Sequence, residues 1–413
     1  MAFDTDFFFT PGKLSIVADG TYGSSGKGSL ASFLTEHADY QFACNTFSAQ
    51  AGHWVRLDPT EPNKPGRTYF YQSLNSCAYQ KDKYEKLYIG PDAAIEFPAL
   101  MREIEENNIP VKKLGIHPLC TILQDKDSAY ERGEVDYEGN PLSNRGDGTM
   151  KFGSTAHGVA PCRTRKMLRR QDTILAKDFV ALEEMICDVE REIMDRLDKG
   201  QKGLLEIAQG FPLSLNYKFY PATTSRNVTV SAALDGMMLP PIYAGNVMLN
   251  FRTFPIRIAN DKYIGDDGKF LTWAEIQQYD KEDKKYQIYK GTSGGWYDDQ
   301  EETTWEEITK SSGAVEKIQE LTSVTKMPRR VATWSKQCLI DAVKYNRTHG
   351  RMFISINFLN YVQNDILGYR GDSIKEFPKC IEWINKNLCD LDKLSAELKI
   401  LGTGPKTDDK ILF

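Results

Sequence analysis

Three features are missing from this sequence, and each absence narrows the class of protein. The eight cysteines scattered through the 413 residues include no C-x-x-C pair, which argues against a structural zinc site and a dense disulfide framework. We therefore expect reduced, mostly buried thiols. No apolar run approaches the length that spans a bilayer. No basic stripe of the kind that tracks nucleic acid is present, and the formal net charge is −5 with both signs mixed along the chain.

Anionic small molecules remain possible partners, because a few local lysines and arginines suffice to bind them. Asp4 and Asp6 stand near the start of the chain, where a signal peptide would have a basic region before an apolar one. We therefore expect no signal peptide and a reducing, cytoplasmic setting.

Short apolar runs alternate with helical patterns along the chain. The composition, 41% apolar and 26% charged, is typical of a soluble globular protein. The period of the apolar residues separates strands from helices. It predicts strands at Leu14–Ala18, Lys202–Ala208, Gly245–Phe251 and Met352–Phe358, and helices at Lys27–His37 and Asp178–Leu197. The alternation predicts an α/β fold with a mainly parallel central sheet flanked by helices.

The stretch 260–313 has a different composition from the rest. It is rich in Asp, Glu, Lys, Gly and Tyr and poor in aliphatic residues, which favours a solvated insertion over core. No internal repeat and no linker mark a second domain. We therefore expect one elaborated domain over residues 1–413 with an insertion at 260–313.

A glycine-rich turn, Gly20-Thr-Tyr-Gly-Ser-Ser-Gly-Lys-Gly-Ser29, joins the first strand to the first helix. Such a turn presents backbone N–H groups at a helix N-terminus, where they and the helix dipole stabilise a phosphate. Lys27 adds a full positive charge. The pattern G-x-x-x-x-G-K-[ST] is nearly met, but Thr21 replaces its first glycine and Gly28 its Ser/Thr. The turn predicts phosphate binding, with a purely structural tight turn as the alternative.

Five blocks, in order along the chain, resemble the adenylosuccinate synthetase family. The first, Tyr22 to Ser29, resembles the family's W-G-D-E-G-K-G-K. The others are Ala51-Gly-His-Trp-Val55, Phe152-Gly-Ser-Thr-Ala-His-Gly-Val-Ala-Pro161 continued to Arg169-Arg170, Glu206-Ile-Ala-Gln-Gly210 continued to Tyr220-Pro-Ala-Thr-Thr-Ser-Arg-Asn227, and Thr403-Gly-Pro405. Any one block is a weak signal, whereas five in order are strong.

The resemblance implies a two-step ligase reaction. O6 of a 6-oxopurine nucleotide attacks the γ-phosphate of a nucleoside triphosphate, and the amine of L-aspartate then displaces phosphate from C6. Such chemistry depends on positioning anions and neutralising their charge. The resemblance also implies Mg²⁺, which bridges phosphates in this kind of transfer, and a homodimer in which Arg169 acts on the neighbouring subunit's site.

Roles for individual residues come from the same resemblance. Catalysis is assigned to Ser24, Lys27 and His53. His53 suits a general acid because an imidazole titrates near neutrality. The implied triphosphate contacts are Gly23, Ser25, Gly26, Lys27, Gly28, Ser29, Gly52, His53, Trp54, Ser355, Asn357, Gly404 and Pro405. The implied purine monophosphate contacts are Ser24, Gln50, Ser154, Thr155, Arg169, Gln209 and Thr224. The implied aspartate contacts are Val324, Thr325 and Arg329, and the implied metal contacts are Ser24 and Gly52.

Three departures from the family pattern fall at these ligands. Ser24 replaces the aspartate that takes the N1 proton and binds Mg²⁺, which leaves room for a group on purine C2. Asn357 replaces an aspartate that recognises guanine, at a cost of about 1.5–3 kcal/mol of guanine preference, so we expect ATP or dATP as phosphoryl donor. Met327 replaces an arginine that reaches the 2′-hydroxyl, which would tolerate deoxyribose.

Together the departures resemble the phage-type branch of the family, the 2-aminoadenylosuccinate synthetases that act on dGMP. The leading hypothesis is dGMP + L-aspartate + ATP or dATP giving 2-amino-2′-deoxyadenylosuccinate. An IMP-directed adenylosuccinate synthetase and a non-catalytic nucleotide-binding relative are the alternatives. A kinase that uses the glycine turn alone is disfavoured by the ungapped blocks at 152–170 and 206–227. The group that accepts the N1 proton in place of an aspartate stays open.

Overall fold

The secondary structure alternates along the chain, as predicted. The computed structural model describes residues 3–59, 64–142, 152–266, 271–322 and 326–413. Its strands are β1 (Leu14–Asp19), β2 (Phe42–Asn45), β3 (His53–Arg56), β4 (Thr68–Tyr71), β5 (Lys86–Ile89), β6 (Ala94–Ile95), β7 (Leu114–Ile116), β8 (Thr121–Ile122), β9 (Gly203–Glu206), β10 (Ala244–Arg252), β11 (Ile256–Arg257), β12 (Lys262–Ile264), β13 (Gln287–Tyr289), β14 (Glu302–Thr303), β15 (Arg330–Ala332), β16 (Met352–Asn357), β17 (Ala396–Gly402) and β18 (Lys410–Leu412). Its α-helices are α1 (Lys27–Glu36), α2 (Phe97–Asn107), α3 (Asp125–Glu131), α4 (Val159–Met167), α5 (Val189–Asp198), α6 (Val230–Gly236), α7 (Trp273–Lys281), α8 (Trp305–Ser312), α9 (Lys336–Tyr345) and α10 (Pro378–Asn387).

A nine-stranded sheet in the order β18-β17-β16-β10-β1-β9-β2-β5-β7 forms the centre of the protein. Every neighbouring pair is parallel except β17–β18 at one edge. β1, β9, β10 and β16 are almost entirely buried, because helices cover both faces of a parallel sheet. The structure confirms the predicted α/β class.

Successive residues of β1 point to opposite faces and join different hydrophobic clusters. Ile16 packs on one face with Ile193 of α5 and Leu339 of α9. Val17 packs on the other face with Leu30 of α1. All five side chains are at most 2% exposed, and burial of an aliphatic side chain of this size stabilises the fold by about 1.5–3 kcal/mol. This two-sided packing fixes the loop between β1 and α1 over the carboxyl end of the sheet.

The helix predicted over Asp178–Leu197 is wrong in its first half. Val180–Met185 is a 3-10 helix, and the α-helix begins only at Val189. The backbone at Ile186 is extended, and the Asp188 carboxylate accepts the Arg191 N–H as an N-cap. Asp at this position starts a new helix instead of continuing an old one.

The stretch 260–313 contains more buried apolar residues than its composition indicates. Leu271 and Ile276 form a small cluster with Met327, and Trp305 and Ile308 join another. β14 from this stretch also pairs with β15. The stretch therefore packs against the residues around 327–332, while its status as an insertion stays a prediction.

Candidate functional site

The candidate site lies at the carboxyl ends of the parallel strands, where ligands of open α/β sheets bind. Asp19 ends β1, Glu206 ends β9 and Asn357 ends β16, three neighbouring regions of the sheet. Residues 20–29, which we term the phosphate loop, follow β1 directly. The sheet thus brings four of the five family-like blocks, those around residues 22–29, 51–55, 206–227 and 403–405, to the same end.

Buried polar side chains hold the phosphate loop in place. Asp19 Oδ1 accepts the Thr21 N–H at 2.8 Å, and Asp19 Oδ2 accepts the Ser25 hydroxyl. Asn250 and Asn357 each donate an amide N–H to the Ser25 carbonyl, at 2.9 and 2.8 Å. Burial raises the pKa of Asp19, against the opposing charge of Lys27. These bonds fix the loop so that α1 begins at Lys27 with its N-terminal N–H groups at the end of the sheet, which favours anion binding.

Lys27, His53 and Glu206 form a buried polar group beside the phosphate loop. His53 is 5% exposed, and its Nδ1 lies 3.1 Å from Glu206 Oε1. Glu206 also accepts the Ser76 N–H at 2.9 Å and the Ser76 hydroxyl at 2.8 Å. Because a carboxylate accepts from Nδ1, the other ring nitrogen of His53 is the one left for a ligand. That nitrogen, Nε2, has no hydrogen-bond partner within the described part of the chain.

Burial sets the charges in this group. Burial and the nearby charge of Lys27 lower the pKa of His53 below its usual value. Burial also lowers the pKa of Lys27, with Glu206 and Asp19 opposing that effect. Burial works against ionisation of Glu206, but His53 and Lys27 outweigh it and hold that pKa below its usual range. A neutral imidazole that is oriented by a carboxylate and lies near a lysine can take and return a proton at an anionic ligand.

The absence of a side chain at Gly28 allows β3 to lie close to the phosphate loop. A Cβ atom at residue 28 would lie 2.9 Å from Ser76 Oγ and 3.1 Å from the Cβ of His53. A serine or threonine, which the usual phosphate-loop pattern has here, would therefore push His53 away. A side chain is excluded at Gly52 as well, because a Cβ atom there would overlap the Phe70 ring. The departure from the pattern at 28 thus places His53 against the loop.

The predicted monophosphate residues are brought together only in part. Gln50 Nε2 donates to Thr224 Oγ1 at 3.2 Å, although the two residues are 174 positions apart. Gln209 has φ +65° and precedes Gly210, which packs against the Thr21 carbonyl. The Ser154 hydroxyl donates to Glu131 at 3.1 Å and is not free for a ligand. Thr155 and Arg169 are exposed.

The predicted triphosphate residues differ in exposure. Six of them are buried in or beside the phosphate loop, namely Gly23, Ser25, Lys27, Gly28, Ser29 and His53. Gly26, Gly52, Trp54, Gly404 and Pro405 are at least partly exposed, and Pro405 lines a cavity of about 480 Å³ together with Asp58, Leu367, Gly368, Arg370, Lys406 and Asp409. Lys410 Nζ donates to Ser29 Oγ at 3.2 Å and ties this region to the phosphate loop.

Ser355 and Asn357, in contrast, are buried under the phosphate loop. Both donors of the Asn357 amide are used, on the Ser25 carbonyl and on Asn250 Oδ1 at 3.1 Å. Asn357 Oδ1 and Ser355 Oγ have no partner among residues 3–59, 64–142, 152–266, 271–322 and 326–413. In this conformation Asn357 supports the loop, and its contact with a base stays a prediction.

The stretch that is predicted to bind aspartate is described in part. Val324 and Thr325 lie outside the described residues. The Arg329 N–H donates to the Glu320 carbonyl at 2.9 Å, and its Nε donates to the Leu321 carbonyl. Met327 is 5% exposed and packs with Leu271 and Ile276, so it does not face the cleft. Its predicted tolerance of deoxyribose lacks support, because an apolar side chain gains more from this core than from a polar cleft.

The residues predicted to bind Mg²⁺ can supply only a minority of its ligands. Over the described ranges, no group of three or more His, Cys, Asp and Glu side chains is placed to hold a metal ion. Ser24 offers an exposed hydroxyl and Gly52 a backbone carbonyl. Mg²⁺ commonly keeps several waters and binds through substrate phosphates with few protein ligands. This donor set therefore fits an ion carried mainly by the phosphates.

Comparison with known proteins agrees with this geometry. The family model for adenylosuccinate synthetase matches residues 174–386, just over half of the chain. The chain belongs to the adenylosuccinate synthetase family. This match confirms the resemblance seen in the sequence. The adenylosuccinate synthetase family consists of C–N ligases, so this protein is one as well. No helix in the described ranges is long and apolar enough to cross a membrane.

Phage proteins are among the relatives within the adenylosuccinate synthetase family. An N6-succino-2-amino-2′-deoxyadenylate synthase of Vibrio phage phiVC8 is 29% identical over 406 residues, covering 96% of this chain and 97% of that protein. Its counterpart of Acinetobacter phage SH-Ab 15497 is 28% identical over 382 residues, covering 86% and 85%. The fold matches the succinoaminodeoxyadenylate synthetase of cyanophage S-2L, with a TM-score of 0.70, 24% identity and coverage of 96% and 94%.

Three polar residues of the site were not identified from the sequence. Glu206 opens the Glu-Ile-Ala-Gln-Gly block, and a carboxylate at the end of a buried strand was the available signal. Asp19 likewise ends a strand directly before the phosphate loop. Arg252, fully buried, donates from Nη1 to the Ser24 carbonyl at 2.7 Å and pairs with Glu320. No local pattern marks Arg252, because its partners lie far away in the sequence.

Proposed function

We propose that this protein joins L-aspartate to C6 of dGMP, with ATP or dATP as phosphoryl donor, to give 2-amino-2′-deoxyadenylosuccinate. The observation that carries the proposal is Ser24, which stands in the phosphate loop where the family has an acidic side chain. Ser24 is exposed in a left-handed conformation with φ +51°. Its side chain therefore projects from the anchored loop, where it can meet a ligand.

The phage relatives support the choice of purine. Three phage proteins named N6-succino-2-amino-2′-deoxyadenylate synthase match 86–96% of the chain. The structurally similar cyanophage enzyme is bound to dGMP and to dATP as an energy donor. A small, uncharged residue at 24 is compatible with the 2-amino group that distinguishes dGMP from IMP.

The chain's residues have separate tasks in this proposal. Lys27 and the N–H groups at the start of α1 neutralise the transferring phosphoryl group. His53, oriented by Glu206, exchanges a proton at the activated O6 or the phosphate oxygens through Nε2. Gln50 and Thr224 bind the monophosphate, and Arg329 clamps an aspartate carboxylate through its paired N–H donors. Mg²⁺, held mainly by phosphates with Ser24 and Gly52 as minor ligands, would neutralise charge on the triphosphate.

The proposal includes a homodimer. Arg169 is exposed and follows Met167 and Leu168, which are 79% and 61% exposed. Leu119 is 41% exposed, and its carbonyl accepts a hydrogen bond from Lys166, the residue before Met167. Exposed apolar residues that cluster in this way mark interaction surfaces. A partner that covers them would receive Arg169 in its own site. We expect the enzyme to work in the cytoplasm, where these nucleotides are found.

The test is a set of parallel incubations of the full chain with aspartate and Mg²⁺. dGMP, GMP and IMP are each offered with dATP, ATP or GTP, and products are read by mass spectrometry. We expect an aspartate adduct of dGMP, formed with dATP or ATP. An adduct from IMP but not from dGMP would establish the IMP-directed alternative, and no aspartate-dependent triphosphate consumption would establish a non-catalytic relative.

A further inference from the structure

We propose that Arg226 is an additional positioning residue for the purine monophosphate and binds its phosphate group together with Gln50 and Thr224. The inference rests on the proposed function for the identity of the nucleotide. Arg226 lies in the block Tyr220–Asn227, at a position where the family pattern has serine. It is thus a feature of this chain and not of the family pattern.

The guanidinium of Arg226 is hydrogen-bonded through Nη1 and, among the described residues, is unpaired along its Nε–Nη2 edge. Nη1 donates to the Thr46 carbonyl at 2.7 Å, to Thr46 Oγ1 at 3.0 Å and to Asp92 Oδ2 at 3.2 Å. Nε and Nη2 make no hydrogen bond to any residue that the structure describes, and neither atom is enclosed by protein. The side chain is nevertheless only 10% exposed. A guanidinium fixed through Nη1 and open along its Nε–Nη2 edge is preorganised for a bidentate contact with a phosphate.

Gln50 and Thr224 lie on the same two chain segments as Arg226 and its partner. The Thr224 N–H donates to the Leu213 carbonyl at 2.8 Å, and the Arg226 carbonyl accepts the Leu215 N–H at 3.0 Å. The side chain of Thr224 contacts Gln50, and that of Arg226 contacts Thr46, on the loop after β2. Arg226 therefore faces the loop that carries Gln50, and its backbone is two residues from Thr224.

The charge balance around Arg226 favours an anion. Arg163 donates to the Asp92 carbonyl at 2.8 Å and to the Asp92 carboxylate, and Lys166 donates to the Pro91 carbonyl at 2.6 Å. Three cations thus surround a single carboxylate. Burial, and then the charge of Arg163, lower the pKa of Arg226 to about 10. A buried cation that is incompletely neutralised costs free energy, and a bound phosphate removes that cost.

The position of cations in the site supports the same conclusion. His157 and Met327 stand where the family pattern has arginines, whereas Arg226 stands where it has serine. The charge of Arg226 also lowers the pKa of Lys27, so the two cations repel each other. Two anions, the nucleotide's phosphate near Arg226 and the transferring phosphoryl group near Lys27, would relieve this repulsion.

The experiment measures binding directly, without turnover. Isothermal titration calorimetry of the full chain gives Kd for dGMP, deoxyguanosine and dATP in the wild type, in Arg226→Ser and in Arg226→Lys. Arg163→Ser is the matched control, because it removes the other arginine of Asp92 and leaves the open edge of Arg226 intact. Thermal melts establish that each variant is folded, and Arg226→Lys keeps the charge if the serine variant is not.

We expect Arg226→Ser to weaken dGMP binding about 10- to 100-fold, the loss typical of a charge-assisted hydrogen bond, with Arg226→Lys between it and the wild type. Binding of deoxyguanosine and dATP should change less than about 3-fold, as should dGMP binding by Arg163→Ser. Equal losses for dGMP and deoxyguanosine, or a loss confined to dATP, would overturn the assignment. If the wild type binds dGMP as expected but forms no product, the proposed function fails while the assignment of Arg226 stands.

Discussion

Substitution of Glu206 by glutamine tests whether the buried carboxylate orients His53. Glu206 is fully buried and accepts three donors, from Ser76 N, Ser76 Oγ and His53 Nδ1. A glutamine has one acceptor oxygen, so its NH₂ group must face at least one of these donors. The loss of a hydrogen bond to a charged acceptor costs about 1.5–3 kcal/mol. If that cost falls on the orientation of His53, kcat decreases by about 10- to 150-fold at 1.4 kcal/mol per factor of ten.

Glu103→Gln is the matched control. Glu103 is also fully buried, and its carboxylate accepts the N–H groups of Gln72, Ser73 and Leu74. These residues belong to the same segment as Ser76, so both substitutions disturb one loop. At about pH 4.5, where Glu103 makes its full stabilising contribution, we expect both variants to lose about 1–3 kcal/mol of unfolding free energy. Only Glu206→Gln should lose activity.

The assays separate stability from chemistry. Unfolding free energies come from urea titrations, and kcat comes from aspartate-dependent phosphate release. The chain has five histidines, so the His53 resonance can be assigned and titrated by NMR. Because Glu206 raises the pKa of His53, its removal should lower that pKa further. Equal losses of kcat in the two variants, or an unchanged His53 titration in Glu206→Gln, would refute the orienting role.

Three further predictions concern the loop, the stability profile and the dimer. Gly28→Ser should reduce kcat/KM for the triphosphate at least about tenfold in steady-state kinetics, because its Cβ would displace His53; unchanged kinetics would show that β3 can move freely. Burial raises the pKa of Glu103 from 4.5 to about 7, so its stabilising contribution is full below pH 4.5 and is lost as the pH rises towards 7. The stability advantage of the wild type over Glu103→Gln should therefore shrink by up to about 3 kcal/mol across this window in urea titrations, and a constant difference would contradict it. We expect the Lys27→Ala and Arg169→Ala chains to be inactive alone and to recover about a quarter of wild-type activity when they are mixed. Half of the mixed dimers are hybrids, and each hybrid has one complete site of its two. No recovery would exclude action in trans.

The architecture could be predicted from the sequence because its signals are local. Leu14–Ala18, the phosphate loop and the helix from Lys27 follow one another without a gap, and β10 and β16 appear as apolar runs within one residue of their ends. Hydrophobic period and turn composition report on neighbouring residues. The same signals failed at Asp178–Leu197, where the apolar period continues through Ile186 but the N-cap at Asp188 starts a new helix.

The site itself could be predicted only where a family block supplied it. The pairing of His53 with Glu206 and of Gln50 with Thr224 joins residues that no periodicity connects. Met327 shows the reverse error, since its position in an aligned block indicated a cleft residue, whereas its apolar side chain is buried. Alignment places a residue along the chain, but packing decides which way its side chain points.

Ser24→Asp tests why the loop can vary at this position. The loop is held by Asp19, Asn250 and Asn357, and Arg252 contacts residue 24 through its backbone carbonyl. None of these anchors uses the side chain of residue 24, and Asp tolerates a positive φ, so we expect the variant to melt as the wild type does.

A carboxylate at residue 24 should crowd the 2-amino group of dGMP but not IMP, which lacks it. The ratio of kcat/KM for dGMP to that for IMP should fall about 10- to 100-fold, as when a site excludes one added group. Ser24→Asn separates size from charge, because it adds a similar volume without the charge; equal shifts in both variants would indicate crowding, and a shift in Asp alone would indicate charge. An unchanged ratio in both variants would place residue 24 away from purine C2. The selectivity for dGMP would then need another origin. Within the loop, the side chain of residue 24 is the feature that replaces an acidic group of the family, and the anchors of the loop do not depend on it.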